Sequence, residues 1–173
     1  MLKFERENVK EIFIVDGLRT AIGKFGGFLA EVSAVELGKT VVEGLIKRNN
    51  LDVSVIDEVI MGNVLQAGLG QNVARQVAVA AGIPNEKTAL TVNMVCGSGL
   101  RAVSLAAQSI NAGDASIMIA GGTESMSNAP YLLAKARFGY KMGDGILTVS
   151  IIFDGLWDVF NDYHMGVTAE NLA

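Results

Sequence analysis

Short apolar runs alternate with amphipathic stretches along most of the chain. The run Ile12 to Val15 (IFIV) is largely β-branched and ends at Asp16-Gly17, which predicts a buried strand. Past the glycine-rich loop RTAIGKFGG, Ser33 and Glu36 have the spacing of a capping box. Val35, Val41, Val42, Leu45 and Ile46 then form a helical stripe up to Asn49-Asn50. A second strand is predicted over Glu58 to Leu65. A second helix is predicted over Asn72 to Ala81, stopped by Gly82 with Pro84 just beyond. Thr88 to Met94 predicts a strand and Gly97 to Asn111 an alanine-rich helix closed by Gly113. Ile117 to Ala120 predicts an all-apolar strand ending in Gly121-Gly122. Strand, helix, strand in succession implies right-handed crossovers, hence an α/β fold: a mostly parallel or mixed sheet with helices on both faces.

After Ser125 the pattern changes. Residues 126 to 163 hold the lone tryptophan, Pro130 and all three tyrosines, without a clean strand period. This divides the chain into a core domain over 1–124 and the beginning of a second, truncated subdomain over 125–173. In the final MGVTAENLA, Thr168 is expected to cap a helix whose first turn contains Glu170. A helix of about one turn gains little alone. Together with the unfinished subdomain it suggests the front part of a longer protein.

Composition narrows the class. At 173 residues, with 50% hydrophobic and 18% charged, the chain reads as compact and globular, large enough for one core but not two. A net charge of −4 with scattered Lys and Arg gives no general attraction for a polyanion, so no nucleic-acid partner is expected. One cysteine and one histidine rule out a disulfide framework and a His-rich metal site by counting. No apolar stretch approaches the ~20 residues that span a bilayer. The opening MLKFERENVKEIF mixes acids with bases, so neither a membrane anchor nor a secretory signal is expected, and a reducing cytoplasm fits.

The one cysteine sits in NMVCGSGLRAV, residues 93 to 103, between a predicted strand and a predicted helix. A thiol becomes a useful nucleophile when its pKa falls, and a helix start favours the thiolate through unpaired N–H groups and the positive end of the macrodipole. Gly97, Ser98 and Gly99 keep bulk away from the sulfur, so an acyl group can approach and backbone N–H groups can face a developing oxyanion. The geometry follows the logic of a nucleophile elbow. Spacing alone equally allows Cys96 to be a packed core thiol, since free cysteine is often buried. His164, in a Tyr-His pair, has the same two readings: a functional contact or a hydrogen-bonded filler. GLGQNV at 68 to 73 approaches the dinucleotide fingerprint, but Val73 replaces the third small residue and no acidic partner follows at the right distance. Arg19, Lys24, Lys135, Arg137 and Lys141 read as solvated surface charge more readily than as a phosphate-binding face.

Four signatures in order, RTAIGKFGG, NMVCGSGLRAV, AGGTESMSNAPY and YHMGVTAENLA, resemble the thiolase family, in particular its biosynthetic acetyl-CoA acetyltransferases. The resemblance runs from about Ile12 to the last residue. It implies the N-terminal half of a five-layer αβαβα fold plus the start of the family's loop domain. It also implies a two-step transfer through an acetyl-Cys96 intermediate. Two acetyl-CoA would condense to acetoacetyl-CoA, with coenzyme A thioesters as substrates and no separate cofactor. The Cys96 N–H would contribute to an oxyanion hole, and Leu156, His164 and Met165 would contact the pantetheine arm and acyl end. The segment ARFGYKMGD resembles the loop that joins family dimers into tetramers, so a homo-oligomer, a C-terminal thiolase domain, or both are the expected protein partners. The family's activating histidine and second catalytic cysteine have no counterpart here, which implies a chain inactive alone. Other readings are a non-catalytic fragment or interaction module, and a ketoacyl synthase-like condensing enzyme using a carrier-bound acyl group.

Overall fold

The computed structural model describes residues 11–173. The first ten residues, which include most of the segment read for a signal and the start of the 1–124 core, lie outside the described residues. Helix α1, Ala34–Arg48, begins as its sequence predicts: Ser33 Oγ accepts from Glu36 N, and the Glu36 carboxylate accepts from Ser33 N. The Ser33 backbone N–H, and after it the Ser33 hydroxyl that donates to the same carboxylate at 2.9 Å, hold the Glu36 carboxyl below its ordinary range.

Strand β1 (Glu58–Gly62), helix α2 (Val73–Ala80), strand β2 (Thr88–Val92), helix α3 (Ser98–Ala112) and strand β3 (Met118–Gly122) follow. The three strands form one parallel sheet in the order β2-β1-β3, with Ile60 level with Leu90 on one side and Ala120 on the other. Parallel neighbours require crossovers, and α2 and α3 supply them. Val59 and Met61 of β1 join Val42 of α1, Val73 and Val77 of α2 and Ile119 in one buried cluster. Ile60, buried with opposite alternation, and Gly62 face the other way, where Gly62 meets the first turn of α3. Helices therefore cover both faces, as expected.

Several boundaries differ from expectation. Ile12–Val15 is not a strand. The segment has no ladder partner among the described residues, and Phe13, Ile14 and Val15 are exposed, Val15 to 87%. A strand is a relation between two backbones, and apolar character alone cannot supply the second. What holds this end is polar: Arg48 and Asn49, at the close of α1, both donate to the Asp16 carboxylate, which is thereby kept far below the usual carboxylate range. β1 stops at Gly62 and not Leu65, β2 stops at Val92 and not Met94, and β3 runs on through Gly121 and Gly122. Asp57 ties the start of β1 to that of β3 by accepting from Ser116 N at 2.7 Å and Ile117 N at 3.2 Å.

Beyond β3 the chain is irregular, as its pattern suggested, but it holds short pairs. Strands β4 (Tyr131–Leu132) and β5 (Thr148–Val149) are antiparallel, as are β6 (Trp157–Asp158) and β7 (Tyr163–His164). A single π-helical turn, Ile151–Leu156, connects the pairs. Helix α4 spans Met165–Leu172 and is capped by His164, whose Nδ1 accepts from Gly166 N at 2.9 Å; Thr168 lies inside the helix and does not cap it. Among the described residues no helix is long and apolar enough to cross a membrane.

Candidate active site

The loop between β2 and α3 is drawn tight by its own polar groups. Val95 N donates to Asn93 Oδ1 at 2.9 Å, Gly97 N to the Met94 carbonyl at 3.1 Å, and Ser98 N to the Val95 carbonyl at 3.1 Å. The Ser98 hydroxyl donates to the Val95 carbonyl at 2.6 Å and accepts from Met94 N at 2.8 Å. The turn leaves Val95 with φ +49, a left-handed value. Cys96 follows at once, exposed, two residues before the first residue of α3. This is the strand-turn-helix presentation the sequence predicts. One expectation narrows: the Gly97 and Ser98 N–H groups are already used inside the turn, so they do not face outward. The Cys96 N–H has no such bond among the described residues.

Beneath Cys96 the backbone layers are close. A Cβ on Gly62 would stand 2.5 Å from the Ser98 carbonyl carbon, and one on Gly122 would stand 3.2 Å from the Gly99 Cα. Only hydrogens fit there, which lets the ends of β1 and β3 come up against the first turn of α3. Above this layer is a cavity of about 390 Å³ at the carboxyl end of the sheet, the usual site for ligands in open parallel sheets. Cys96 and Leu156 both line it, together with Asn63, Leu65, Glu124 and Met126.

Asn63 and Glu124 organise one wall. Asn63 is 1% exposed, and its Nδ2 donates to the Thr123 carbonyl at 2.9 Å and to Glu124 Oε1 at 2.8 Å. Two acceptors fix the amide's orientation, since the flipped form would set oxygen against oxygen. Glu124 also accepts from Val64 N at 2.8 Å and Leu65 N at 3.1 Å. The chain thus turns out of β1 around a carboxylate delivered by the end of β3. Asn63 Oδ1 has no partner, alone among the buried side-chain polar atoms of the described residues.

A second cavity, of about 660 Å³, shares Glu124, Met126 and Leu156 with the first and adds Lys24, Ile152 and His164. Leu156 thus stands between Cys96 on one side and His164 on the other. Because His164 Nδ1 accepts from Gly166 N, the neutral ring carries its proton on Nε2. Met165, at the start of α4, lines neither cavity. Of the four residues expected at the site, the structure brings three along one connected wall. The sequence reading assigned no role to Asn63 or Glu124, although Glu124 lies in the quoted AGGTESMSNAPY. A carboxylate just past the glycine end of a parallel strand was the available signal.

The GLGQNV segment has a structural purpose. Gly68 and Gly70 have positive φ, and Asn72 caps α2 by accepting from Arg75 N at 3.1 Å while donating to the Ala89 carbonyl.

A parallel sheet that lifts one thiol to a strand-to-helix turn, beside a pocket at the strands' carboxyl edge, defines the class as an α/β protein with an exposed cysteine at its candidate site. Residues 12–173 match the thiolase N-terminal domain, and the chain belongs to the thiolase family. It is 56% identical over 165 residues to a probable acetyl-CoA acetyltransferase of Escherichia coli, and 57% identical over 165 residues to an acetyl-CoA acetyltransferase of Syntrophomonas wolfei. It is 55% identical over 163 residues to an acetyl-CoA acetyltransferase of Cupriavidus necator. These alignments cover 94–95% of this chain and 42% of each relative, so the chain spans about two fifths of the length of the curated relatives it matches.

Proposed function

We propose that Cys96 is the nucleophile of an acetyl-CoA acetyltransferase. The observation that carries this is the exposed thiol, set at a helix start on the wall of a cavity, in a chain of the thiolase family. The Cys96 sulfur, as thiolate, attacks the thioester carbonyl; the carbon–sulfur bond to coenzyme A breaks, and coenzyme A leaves as its thiolate to take up a proton. A second acetyl-CoA, having lost an α-proton, attacks the acetyl-Cys96 carbonyl to give acetoacetyl-CoA and return the thiolate. The Cys96 N–H, unbonded among the described residues, would receive the oxyanion in this reading.

In this reading Leu156 packs along the arm of the thioester, and His164 contacts it further out, where Lys24 adds a positive charge to the same cavity. No histidine lines the Cys96 cavity, and Glu124 is already held by three donors. In this reading the acid–base groups for the α-proton are supplied by a C-terminal thiolase domain. Of the described residues, those up to 124 belong to the core and 125–173 begin the loop domain. The protein works as a dimer or tetramer in a reducing cytoplasm.

Incubation with acetyl-CoA followed by peptide mass spectrometry tests the assignment. An acetyl group on Cys96, absent in Cys96→Ala, is the expected result. Transfer from an acyl carrier protein but not from coenzyme A would replace it with a carrier-dependent condensing enzyme. No acetylation, even with a complementing C-terminal domain, would leave a non-catalytic fragment.

A further inference from the structure

We propose that Ser98 is a positioning residue for Cys96: its hydroxyl locks Val95 in the left-handed turn from which the sulfur is presented to the cavity. The inference rests on Cys96 being the nucleophile and adds a residue that acts through the backbone.

Val95 has φ +49. A β-branched side chain in this region is a true outlier, because Cβ crowds the following carbonyl, and such a conformation persists only where its surroundings over-determine it. Here the surroundings can be named. Asn93 Oδ1 takes the Val95 N–H. The Val95 carbonyl takes two donors, Ser98 Oγ at 2.6 Å and Ser98 N at 3.1 Å. The same hydroxyl accepts from Met94 N at 2.8 Å, so one oxygen bridges the N–H of Met94 and the carbonyl of Val95. No other side chain of the described residues bonds both groups.

Ser98 is itself held in place. It is 4% exposed and presses against the end of β1 so closely that a Cβ on Gly62 would lie 2.7 Å from its own Cβ. That packing holds the side chain where both of its bonds are made. The line of constraint runs from the sheet through Gly62 to Ser98, from Ser98 to the Val95 carbonyl, and from there to the next residue, Cys96. Glycine at 95 would adopt this φ without strain. With valine there, the turn depends on the clamp.

That dependence separates a positioning role from mere packing. Cys96 is followed by two readouts, acetyl transfer from acetyl-CoA and alkylation by iodoacetamide, in the wild-type chain, Ser98→Ala, Val95→Gly and the double variant, with a thermal melt of each. Ser98→Ala is expected to slow both reactions by roughly tenfold or more, the scale of the strain released. On the Val95→Gly background the same Ser98→Ala change is expected to cost less than about threefold, because the left-handed turn no longer needs holding. An equal loss on both backgrounds, or no loss in Ser98→Ala, overturns the proposal. Should Ser98→Ala fail to fold, the double variant against Val95→Gly still decides: a folded double variant slower by roughly tenfold sinks the idea. If wild-type Cys96 takes no acetyl group even with a complementing C-terminal domain, but iodoacetamide shows the expected pattern, the acetyltransferase reading falls while the positioning role of Ser98 stands.

Discussion

A single methyl group is enough to probe how the thiol is held. Gly62→Ala would put a Cβ 2.5 Å from the Ser98 carbonyl carbon and 2.6 Å from Gly99 N, both backbone atoms that cannot step aside without moving the start of α3. This substitution is expected to cost about 1–3 kcal/mol in urea unfolding and to slow Cys96 alkylation. Gly97→Ala is the control: its φ is −86 and the nearest atom is the flexible Cε of Met94, so stability should stay within about 0.5 kcal/mol. Equal effects would remove the claim that the glycine layer places Cys96. At this scale the sequence showed the thiol and the small residues beside it. Neither Gly62 nor Asn63 could be singled out, because residues 62 and 98 become neighbours only once β1 and α3 have packed.

Helix ends were legible where the cap was a familiar one. The Ser33–Glu36 box and Gly113 after α3 stand where the residues put them, whereas Asn72, expected as the first residue of the second helix, is the cap just ahead of α2. α4 was misread because its cap is an imidazole nitrogen, outside the Ser, Thr, Asp and Asn set that marks most helix starts. The IFIV run was misread because a strand's existence depends on a second strand. His164 now carries two duties, capping α4 and lining the outer cavity, and substitutions can separate them. His164→Ser keeps a capping acceptor and His164→Ala does not. Both are expected to weaken acetyl-CoA binding several-fold, while only His164→Ala should speed hydrogen exchange at the Gly166 amide. Binding preserved in His164→Ser would confine the residue to its cap.

Over the whole molecule, carboxylates fastened to N–H groups set the response to acid. Asp16, Glu36, Asp52, Asp57 and Asp158 all sit below their ordinary pKa range: Asp16 chiefly through Arg48, Glu36 through Ser33, Asp52 through Ser54, Asp57 through Ser116, and Asp158 through Asn161. A depressed folded-state value means that the unfolded chain binds protons first. The stabilisation is therefore whole above about pH 4–5 and is lost progressively as pH falls towards the folded-state values. Melting temperatures from neutral pH downward should hold steady and then drop below about pH 4, less steeply in Asp16→Asn; a flat profile would contradict these contacts. The same scale governs association. Phe13, Ile14 and Val15 are exposed at one place, and Phe138 and Met142 in the ARFGYKMGD segment at another. Sedimentation should show concentration-dependent self-association that Phe138→Ser with Met142→Ser reduces, and a clean monomer at all concentrations would rule it out.

Where Gly62, Gly99 and Gly122 converge, main chain rests on main chain, and a side chain at Gly62 or Gly122 has no room. Side chains that can change the cavity's shape without disturbing that floor sit at Leu65, Met126 and Leu156, so the volume above it and the support below it belong to separate parts of the sequence.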